Sequence, residues 1–191
     1  SGIYPLHKLR EDYDTEPLHT LNKGDIIDVT PFYKDGILTW DVPDGEWTII
    51  RYGMTCTGVK VSTSSDGWDG LSMDHLNRNA LTRYNEDVIS RLIARAKQEG
   101  NSLKFIHTDS WEMGVANWTQ GFMEKFRELR GYDMTEYMPV ITNRIVGNRD
   151  ISNRFLHDFR RTVSDLIADE FYKTFSEIAR QNDLFTHPES G

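Results

Sequence analysis

The fold is decided by two stretches of the sequence, Leu103-Lys-Phe-Ile-His107-Thr-Asp109-Ser-Trp111-Glu112 and Leu184-Phe-Thr-His187-Pro-Glu189. Each is a short apolar run that ends in a histidine followed by a carboxylate, and each comes after a long stretch with helical periodicity. Strands that alternate with helices in this way are typical of parallel sheets, in which a helix connects one strand to the next. Because parallel strands bring their C-terminal ends to one edge, we expect these histidines and acids to share a site.

Three helices are predicted from apolar residues at helical spacing. The first runs from the cap residue Asn77 to about Gln98, before Gly100, and the second covers 119–130, before Gly131. The third covers about 151–181, with a kink as an open alternative to a straight helix. The residues predicted to face the core are Leu81, Tyr84, Val88, Leu92 and Ala96 in the first helix and Phe155, Phe159, Val163, Leu166, Phe171, Phe175 and Ile178 in the third.

The N-terminal part of the chain has a different pattern. Residues 1–24 lack periodicity and are interpreted as an irregular lead-in or linker, whereas 25–55 contain three strand-like runs, 25–30, 36–42 and 46–52, separated by Asp-Gly turns. These runs predict a small antiparallel β-meander. The rest, 56–191, is predicted to be an incomplete (β/α)8 TIM-barrel catalytic domain of the α/β class. A whole barrel needs about 250 residues, so we expect the chain to be a piece of a larger protein.

Composition restricts the partners of the protein. The 191 residues are 38% hydrophobic, enough for a packed core, and carry a formal charge of -8. This charge disfavours a nucleic-acid surface and suits a carbohydrate partner. No run approaches the roughly 20 apolar residues that a membrane span requires. Cys56 is the single cysteine, so it cannot form an internal disulfide.

The acids after the two strands predict acid/base chemistry. Glu112 lies next to Trp111 and near Asp109 in the sequence, where partial desolvation and like charge would both raise a carboxyl pKa. Glu189 follows Pro188, which has no amide hydrogen and should end its strand. Most glycosidases catalyse hydrolysis with a pair of carboxyl groups. The simpler alternatives are that the first cluster caps a loop with Trp111 in the core and that Glu189 belongs to a disordered terminus.

His107 and His75 can each be interpreted in two ways. His107 and Asp109 share one face of an extended strand, and His107 is either a hydrogen-bond donor to a substrate hydroxyl or a satisfied core residue. Asp74 and His75 could contribute ligands from an earlier loop, although a capping or solvated role is favoured. The sequence contains no zinc-ligand spacing, no Gly-x-Ser-x-Gly elbow and no phosphate-binding glycine pattern, which disfavours nucleotide enzymes and serine hydrolases.

Together these residues give the chain a resemblance to the α-L-rhamnosidases of glycoside hydrolase family 106. The resembling segments are Asp28-Val-Thr30, Gly36 to Pro43, Gly45 to Arg51, Thr57-Gly58, Gly70 to Asp74, Asp109-Ser-Trp-Glu-Met-Gly114 with Asn117-Trp-Thr119, Arg130-Gly-Tyr-Asp133 and Arg154 to Arg160. The chain departs from the family pattern at His187-Pro188, Ser190 and Ser72-Met73.

The resemblance implies inverting hydrolysis of terminal α-L-rhamnosides of plant or microbial polysaccharides by a much larger enzyme. It also implies a bound calcium, with no ligands assigned, a periplasmic or secreted location, and the remainder of the parent enzyme as a partner. Glu112 and Glu189 correspond to family acids and are the candidate catalytic residues. The candidate substrate-binding residues are Asp109, Trp111, His107, Asp74, Asn117, Trp118 and His187.

Two alternatives remain at this point. One is another barrel glycosidase, and the other is a non-catalytic carbohydrate-binding module in which Trp40, Trp47 and Trp111 form a stacking platform. A sugar isomerase is disfavoured because no metal-ligand set is found. The isolated chain is predicted to be inactive.

Overall fold

The computed structural model of the protein describes residues 20–61, 67, 69–109 and 116–189. The strands are β1 Thr20–Leu21, β2 Tyr33–Lys34, β3 Ile37–Leu38, β4 Phe105–Thr108, β5 Ile145–Val146 and β6 Phe185–Pro188. The helices are α1 Arg78–Tyr84, α2 Ser90–Gln98, α3 Phe122–Arg130, α4 Met138–Ile141, α5 Arg149–Leu166 and α6 Thr174–Gln181. A π-helical turn, Asn85–Ile89, joins α1 to α2, and a second, Ile167–Lys173, joins α5 to α6.

The chain forms two compact units. Of the described residues, the first contains those within 54–120 and 163–189, and the second contains 20–53 and 121–162. The boundary between the units falls inside α5, so the following description treats each unit by itself.

In the first unit, the parallel pair β4–β6 is packed against helices. Its buried cluster consists of Leu81 from α1 with Phe171, Phe175 and Ile178 from the segment that leads into β6, and Ile106 of β4 packs against this cluster. The helices therefore cover one face of the strand pair. This arrangement confirms that the two stretches beginning at Leu103 and Leu184 form parallel strands after long helices.

The caps of the first helix form where the sequence predicts them. The side chain of Asn77 accepts a hydrogen bond from the amide of Asn79 at 3.0 Å, which satisfies one of the free amides of the first turn. Gly100, after the helix, has a φ of +72°, a conformation that glycine adopts without strain.

The stripe predicted for that helix is wrong at two positions, Tyr84, which is 44% exposed, and Leu92. Ile93 is buried at 6% exposure, whereas Leu92, which was predicted to face the core, is 62% exposed. The π-helical turn Asn85–Ile89 explains the difference, because it adds one residue to the helix and moves the buried stripe one position along the sequence.

In the second unit, four phenylalanines form the core. Phe122 and Phe126 of α3 contact Phe159 and Phe155 of α5, with ring centroids 5.0 and 5.9 Å apart, and each is at most 1% exposed. Gly131, at φ +82°, ends α3 as predicted. β1 pairs in parallel with β5, although neither two-residue strand was predicted. The segment between the second and third predicted helices contains α4, in which Pro139 occupies a first-turn position that needs no amide donor.

The three-stranded meander predicted for 25–55 is wrong except for one hairpin. β2 and β3 are antiparallel around Asp35-Gly36, but 25–32 contain 3-10 turns and 39–53 contain no strand. Local turns compete with the first strand, since the Asp28 side chain accepts from the amide of Thr30 and Pro31 follows. Apolar residues of the other runs, such as Ile49 at 60% exposure, have no packed face to stabilise a sheet.

The α/β class is confirmed by the two parallel pairs and their helices. No closed barrel is formed by the residues that the structure describes, where the sheets are two-stranded. The proposed division into 1–24, 25–55 and 56–191 stays a prediction.

Candidate functional site

The candidate site lies at the C-terminal ends of β4 and β6. The register pairs Phe105 with Phe185, Ile106 with Thr186, His107 with His187 and Thr108 with Pro188. The amide of Glu189 donates to the carbonyl of Thr108 at 2.9 Å, which continues the parallel ladder by one residue past β6. Continuing this register aligns Asp109 with Glu189. The two strands thus carry the same pattern, phenylalanine, histidine and acid at alternate positions.

The pattern faces away from the helical core. Side chains alternate between the two faces of a strand, and Ile106 points into the buried cluster. On the opposite face, Phe105 is 59% exposed and Phe185 is 77% exposed. His107 and His187 are exposed as well. The two histidines and the exposed phenylalanine rings therefore lie on the same side of the sheet.

The two histidines are in direct contact. Their Nδ1 atoms are 3.1 Å apart, and Nδ1 of His107 is 2.7 Å from the backbone oxygen of His187. The ring centroids are separated by 5.1 Å with a tilt of 33°. The predicted pairing of these two histidines at one site is what the structure shows, and the core alternative for His107 does not agree with its exposure.

The acids of the site are described only in part. Asp109 and Glu189 are both exposed at the strand ends, so the open carboxyl of Glu189 is available to a ligand. Glu112, predicted as a catalytic acid, and Trp111, predicted to bind substrate, lie outside the described residues. The separation of the two glutamates and its consequence for the stereochemistry stay predictions.

A second group of contacts involves Asp74. Its Oδ2 accepts a hydrogen bond from the Thr119 hydroxyl at 2.5 Å, and its Oδ1 accepts from the amide of Leu76 at 2.9 Å. Thr119 is 3% exposed. Both carboxylate oxygens thus support the loop before α1, which agrees with the capping role favoured for Asp74. Asn117 and Trp118 are half-buried in the segment that leads to Thr119.

His75 is held in the same loop. Its Nδ1 donates to the carbonyl of Met73 at 2.8 Å, and its ring packs on Phe171 with centroids 4.5 Å apart. Burial lowers the pKa of His75 below its ordinary value of 6.5, more strongly than the Met73 carbonyl and the Asp74 charge raise it. His75 is therefore a neutral, structural histidine near neutral pH.

Two features of these groups were missed in the sequence. Thr119 was predicted only as a helix start, and a threonine hydroxyl gives no sequence signal for a partner 45 positions away. The repeated phenylalanine in front of each histidine was visible, and an alignment of the two stretches by their histidines would have found it.

The second unit contains an open cleft of about 430 Å³, lined by Lys23, Asp28, Tyr132, Asp133, Thr135, Glu136 and Tyr137. The Lys23 ammonium lies 4.2 Å from the centroid of the Tyr137 ring, and Phe155 stacks on that ring at 5.4 Å and 15°. Sugar stacking needs a free aromatic face, so Tyr137 is poorly suited to it.

The tryptophans of the binding-module alternative do not form a flat platform. Trp40 and Trp47 meet edge to face, with centroids 5.4 Å apart and planes at 84°, and the Trp47 indole N–H donates to the carbonyl of Pro43 at 2.8 Å. Perpendicular rings cannot stack on the same sugar face. The third member of the platform, Trp111, is not described.

Potential metal ligands do not cluster in the described part of the chain. In 20–61, 67, 69–109 and 116–189, no three His, Cys, Asp or Glu side chains are grouped so that they could hold a metal ion. The calcium that the family resemblance implies stays a prediction. Within the same part, no helix is both long and apolar enough to cross a membrane.

The helix-backed parallel strands, with histidines and acids at their C-terminal ends, define the chain as a fragment of an α/β protein. The chain belongs to glycoside hydrolase family 106, the alpha-L-rhamnosidase family, whose model matches residues 6–191. This finding confirms the resemblance derived from the sequence motifs.

Two relatives show how much of a family member the chain represents. It is 39% identical over 166 residues to a protein of Formosa agariphila named "Putative beta-glucuronidase", a match that covers 86% of this chain and 14% of that protein. It also resembles the structure of a rhamnosidase from Novosphingobium sp. PP1Y, with a TM-score of 0.76 and 31% identity, over 88% of this chain and 17% of that one. The chain thus spans about one sixth or less of these relatives.

Proposed function

We propose that the chain is part of the catalytic (β/α)8 barrel of a longer, inverting α-L-rhamnosidase that removes terminal rhamnose from plant or microbial polysaccharides. The observation that carries the proposal is the in-register pairing of β4 with β6, which brings His107, His187 and Glu189 to one strand end. Active sites of parallel α/β barrels lie at that end of the strands.

The fold of the first unit supports the barrel part of the proposal. A strand, a helical crossover and a second parallel strand form the repeating unit of such a barrel. Phe105 and Phe185 expose apolar rings on the face opposite to the helices, and such a surface is normally covered in a parallel sheet. Further strands of the longer protein would cover it.

The proposed chemistry uses two carboxyl groups. One of Glu112 and Glu189 protonates the leaving oxygen or removes a proton from the attacking water. The other either takes the complementary role or holds the sugar or the metal, in which case a further acid of the longer protein completes the catalytic pair. Inversion requires the carboxyl groups to stand about 6.5 to 9.5 Å apart, so that the water fits between the base and the sugar. Calcium and a periplasmic or secreted location are proposed from the family resemblance alone, and no step of this scheme uses the metal.

The experiment is hydrolysis of aryl α-L-rhamnosides by the longer protein, followed by ¹H NMR of the first product formed. We expect β-L-rhamnose first, because a single displacement inverts the α-anomeric centre. Release of α-L-rhamnose first would contradict inversion. Absence of hydrolysis across aryl and natural α-L-rhamnosides would contradict the rhamnosidase assignment.

A second substrate is worth the same assay because of the name of the Formosa agariphila relative. An aryl β-D-glucuronide carries a carboxylate where rhamnose carries a methyl group. Cleavage of this glucuronide, without cleavage of rhamnosides, would replace rhamnose by glucuronate in the proposal and leave the glycosidase class intact. Sugar binding without turnover, retained after both Glu112→Gln and Glu189→Gln, would favour the binding-module alternative.

A further inference from the structure

The contact between His107 and His187 fixes the position of the proton on each ring. A backbone carbonyl only accepts hydrogen bonds, so Nδ1 of His107, 2.7 Å from the oxygen of His187, must carry the proton. A neutral imidazole has a single N–H. In the neutral ring, the Nε2 atom of His107 therefore bears a lone pair.

The proton on Nδ1 of His107 also determines the tautomer of the His187 ring. Nδ1 of His187 lies 3.1 Å from Nδ1 of His107, which already bears hydrogen. Two N–H groups facing each other would repel, so Nδ1 of His187 presents its lone pair and shares the His107 proton. In the neutral ring, the hydrogen of His187 is then on Nε2. The pair thus combines an acceptor at Nε2 of His107 with a donor at Nε2 of His187.

We propose that the His107–His187 pair recognises two adjacent hydroxyl groups of the sugar, with His107 Nε2 accepting from one hydroxyl and His187 Nε2–H donating to the other. A hydroxyl can both donate and accept, so a vicinal diol matches this pair. Both side chains are exposed on the face away from the helical core, and their centroids are 5.1 Å apart. Two hydrogen bonds of about 2.8 Å can join rings at that spacing to neighbouring hydroxyls.

This inference deepens the proposed function, because it assigns the specificity of the same site, and it rests on the chain being part of a glycosidase. The histidines would position substrate without exchanging protons with the reacting atoms. Their contribution should therefore appear in affinity and in the sensitivity to particular hydroxyls.

The test uses the longer protein and isothermal titration with methyl α-L-rhamnoside and its 2-, 3- and 4-deoxy analogues. Wild-type protein should lose about tenfold in affinity for each of two deoxy analogues, whose missing hydroxyls are on adjacent carbons. In His187→Asn, one of these two losses should disappear. In His107→Asn, the other should disappear.

Two further variants distinguish a binding role from a structural one. In His187→Gln, the amide nitrogen can reach near the position of Nε2, whereas in His187→Asn it can replace only the Nδ1 position. Gln should therefore retain more affinity than Asn if the donor at Nε2 matters, and a purely structural role would not give this order. His157→Asn, at an exposed histidine of α5, is the matched control and should bind every ligand as wild type does.

The outcomes separate this inference from the proposed function. Unchanged sensitivity to all three hydroxyls in both Asn variants, or losses at non-adjacent carbons in the wild type, would overturn the diol site while rhamnoside hydrolysis persists. If the wild type binds methyl β-D-glucuronide and not the rhamnoside, the rhamnose assignment fails. The diol site is then tested by the same comparison with deoxy analogues of the glucuronide. Binding of neither sugar overturns both. If one Asn variant fails to fold, the other and His187→Gln complete the test.

Discussion

At the scale of single residues, the most consequential contacts join side chains that are far apart in the sequence. The Thr119 hydroxyl is buried and donates to Asp74, and His107 contacts His187 across two strands. Sequence patterns identified these positions as polar groups near strand and helix ends. They could not identify the partners, because a hydrogen bond between distant residues depends on the packed structure and leaves no periodic signal.

Replacing the hydroxyl of Thr119 tests the first of these contacts. We expect Thr119→Val to lower the free energy of opening of the first unit by about 1 to 2 kcal/mol, because a hydrogen bond to a charged group is lost while exposed Asp74 can bind water instead. Hydrogen exchange of amides in α1, measured in the longer protein, reports this change. Thr82→Val, at an exposed position of α1, is the control, and an equal effect of both variants would contradict the prediction.

His75 should make the stability of the first unit depend on pH. Its folded pKa lies below the ordinary value because of burial, so the unfolded state binds a proton more readily as the pH falls below about 6.5. The stabilisation that neutral His75 gives above that pH is therefore lost progressively as the pH falls toward its folded pKa.

The measurement is hydrogen exchange of α1 amides between pH 7.5 and 5.5, corrected for intrinsic rates, in wild type and His75→Gln. Because Gln does not titrate, the loss of protection at low pH should be smaller in the variant. Identical pH dependence in both proteins would show that His75 does not carry this effect.

At the scale of secondary structure, local signals predicted the helices and missed the short strands. Asn77, Gly100 and Gly131 mark helix ends because caps and positive-φ glycines act within a few residues. β1 and β5 have two residues each, too few for an alternating pattern. The predicted meander failed because β-propensity acts only where a strand finds a partner and a packed face.

The π-helical turn Asn85–Ile89 leads to a prediction with an internal control. Ile93→Ala should destabilise the first unit by about 2 to 5 kcal/mol, since it removes buried methyl and methylene groups and leaves a cavity. Leu92→Ala should change stability by less than about 0.5 kcal/mol, because Leu92 is exposed. Hydrogen exchange in the longer protein can compare the two, and a larger effect of Leu92→Ala would mean that the helix continues without the extra residue.

At the scale of the whole molecule, the sequence predicted the α/β class and the common strand end, and the proposed barrel requires more strands than the two-stranded sheets of the described residues provide. Apolar rings such as Phe105 and Phe185 are exposed in the 191-residue chain. Their burial depends on residues elsewhere in the longer protein, so the completed active site cannot be derived from these residues alone.

The isolated chain should therefore be inactive and should bind a dye specific for apolar surface. We expect strong 1-anilinonaphthalene-8-sulfonate fluorescence with the 191-residue chain and weak fluorescence, per molecule, with the longer protein. Hydrolysis of an aryl rhamnoside by the isolated chain, at a rate abolished by Glu112→Gln, would show that this chain is sufficient for catalysis.

Glu189→Gln in the longer protein shows whether the C-terminal ends of β4 and β6 are part of the catalytic site. The measurement is kcat for an aryl α-L-rhamnoside, with Glu128→Gln, at an exposed acid of α3, as the control. We expect a loss on the order of 10² to 10⁴ for Glu189→Gln, the usual contribution of a general acid or base, and no loss for the control. A kcat for Glu189→Gln within about twofold of wild type, a change far below that contribution, would contradict this prediction.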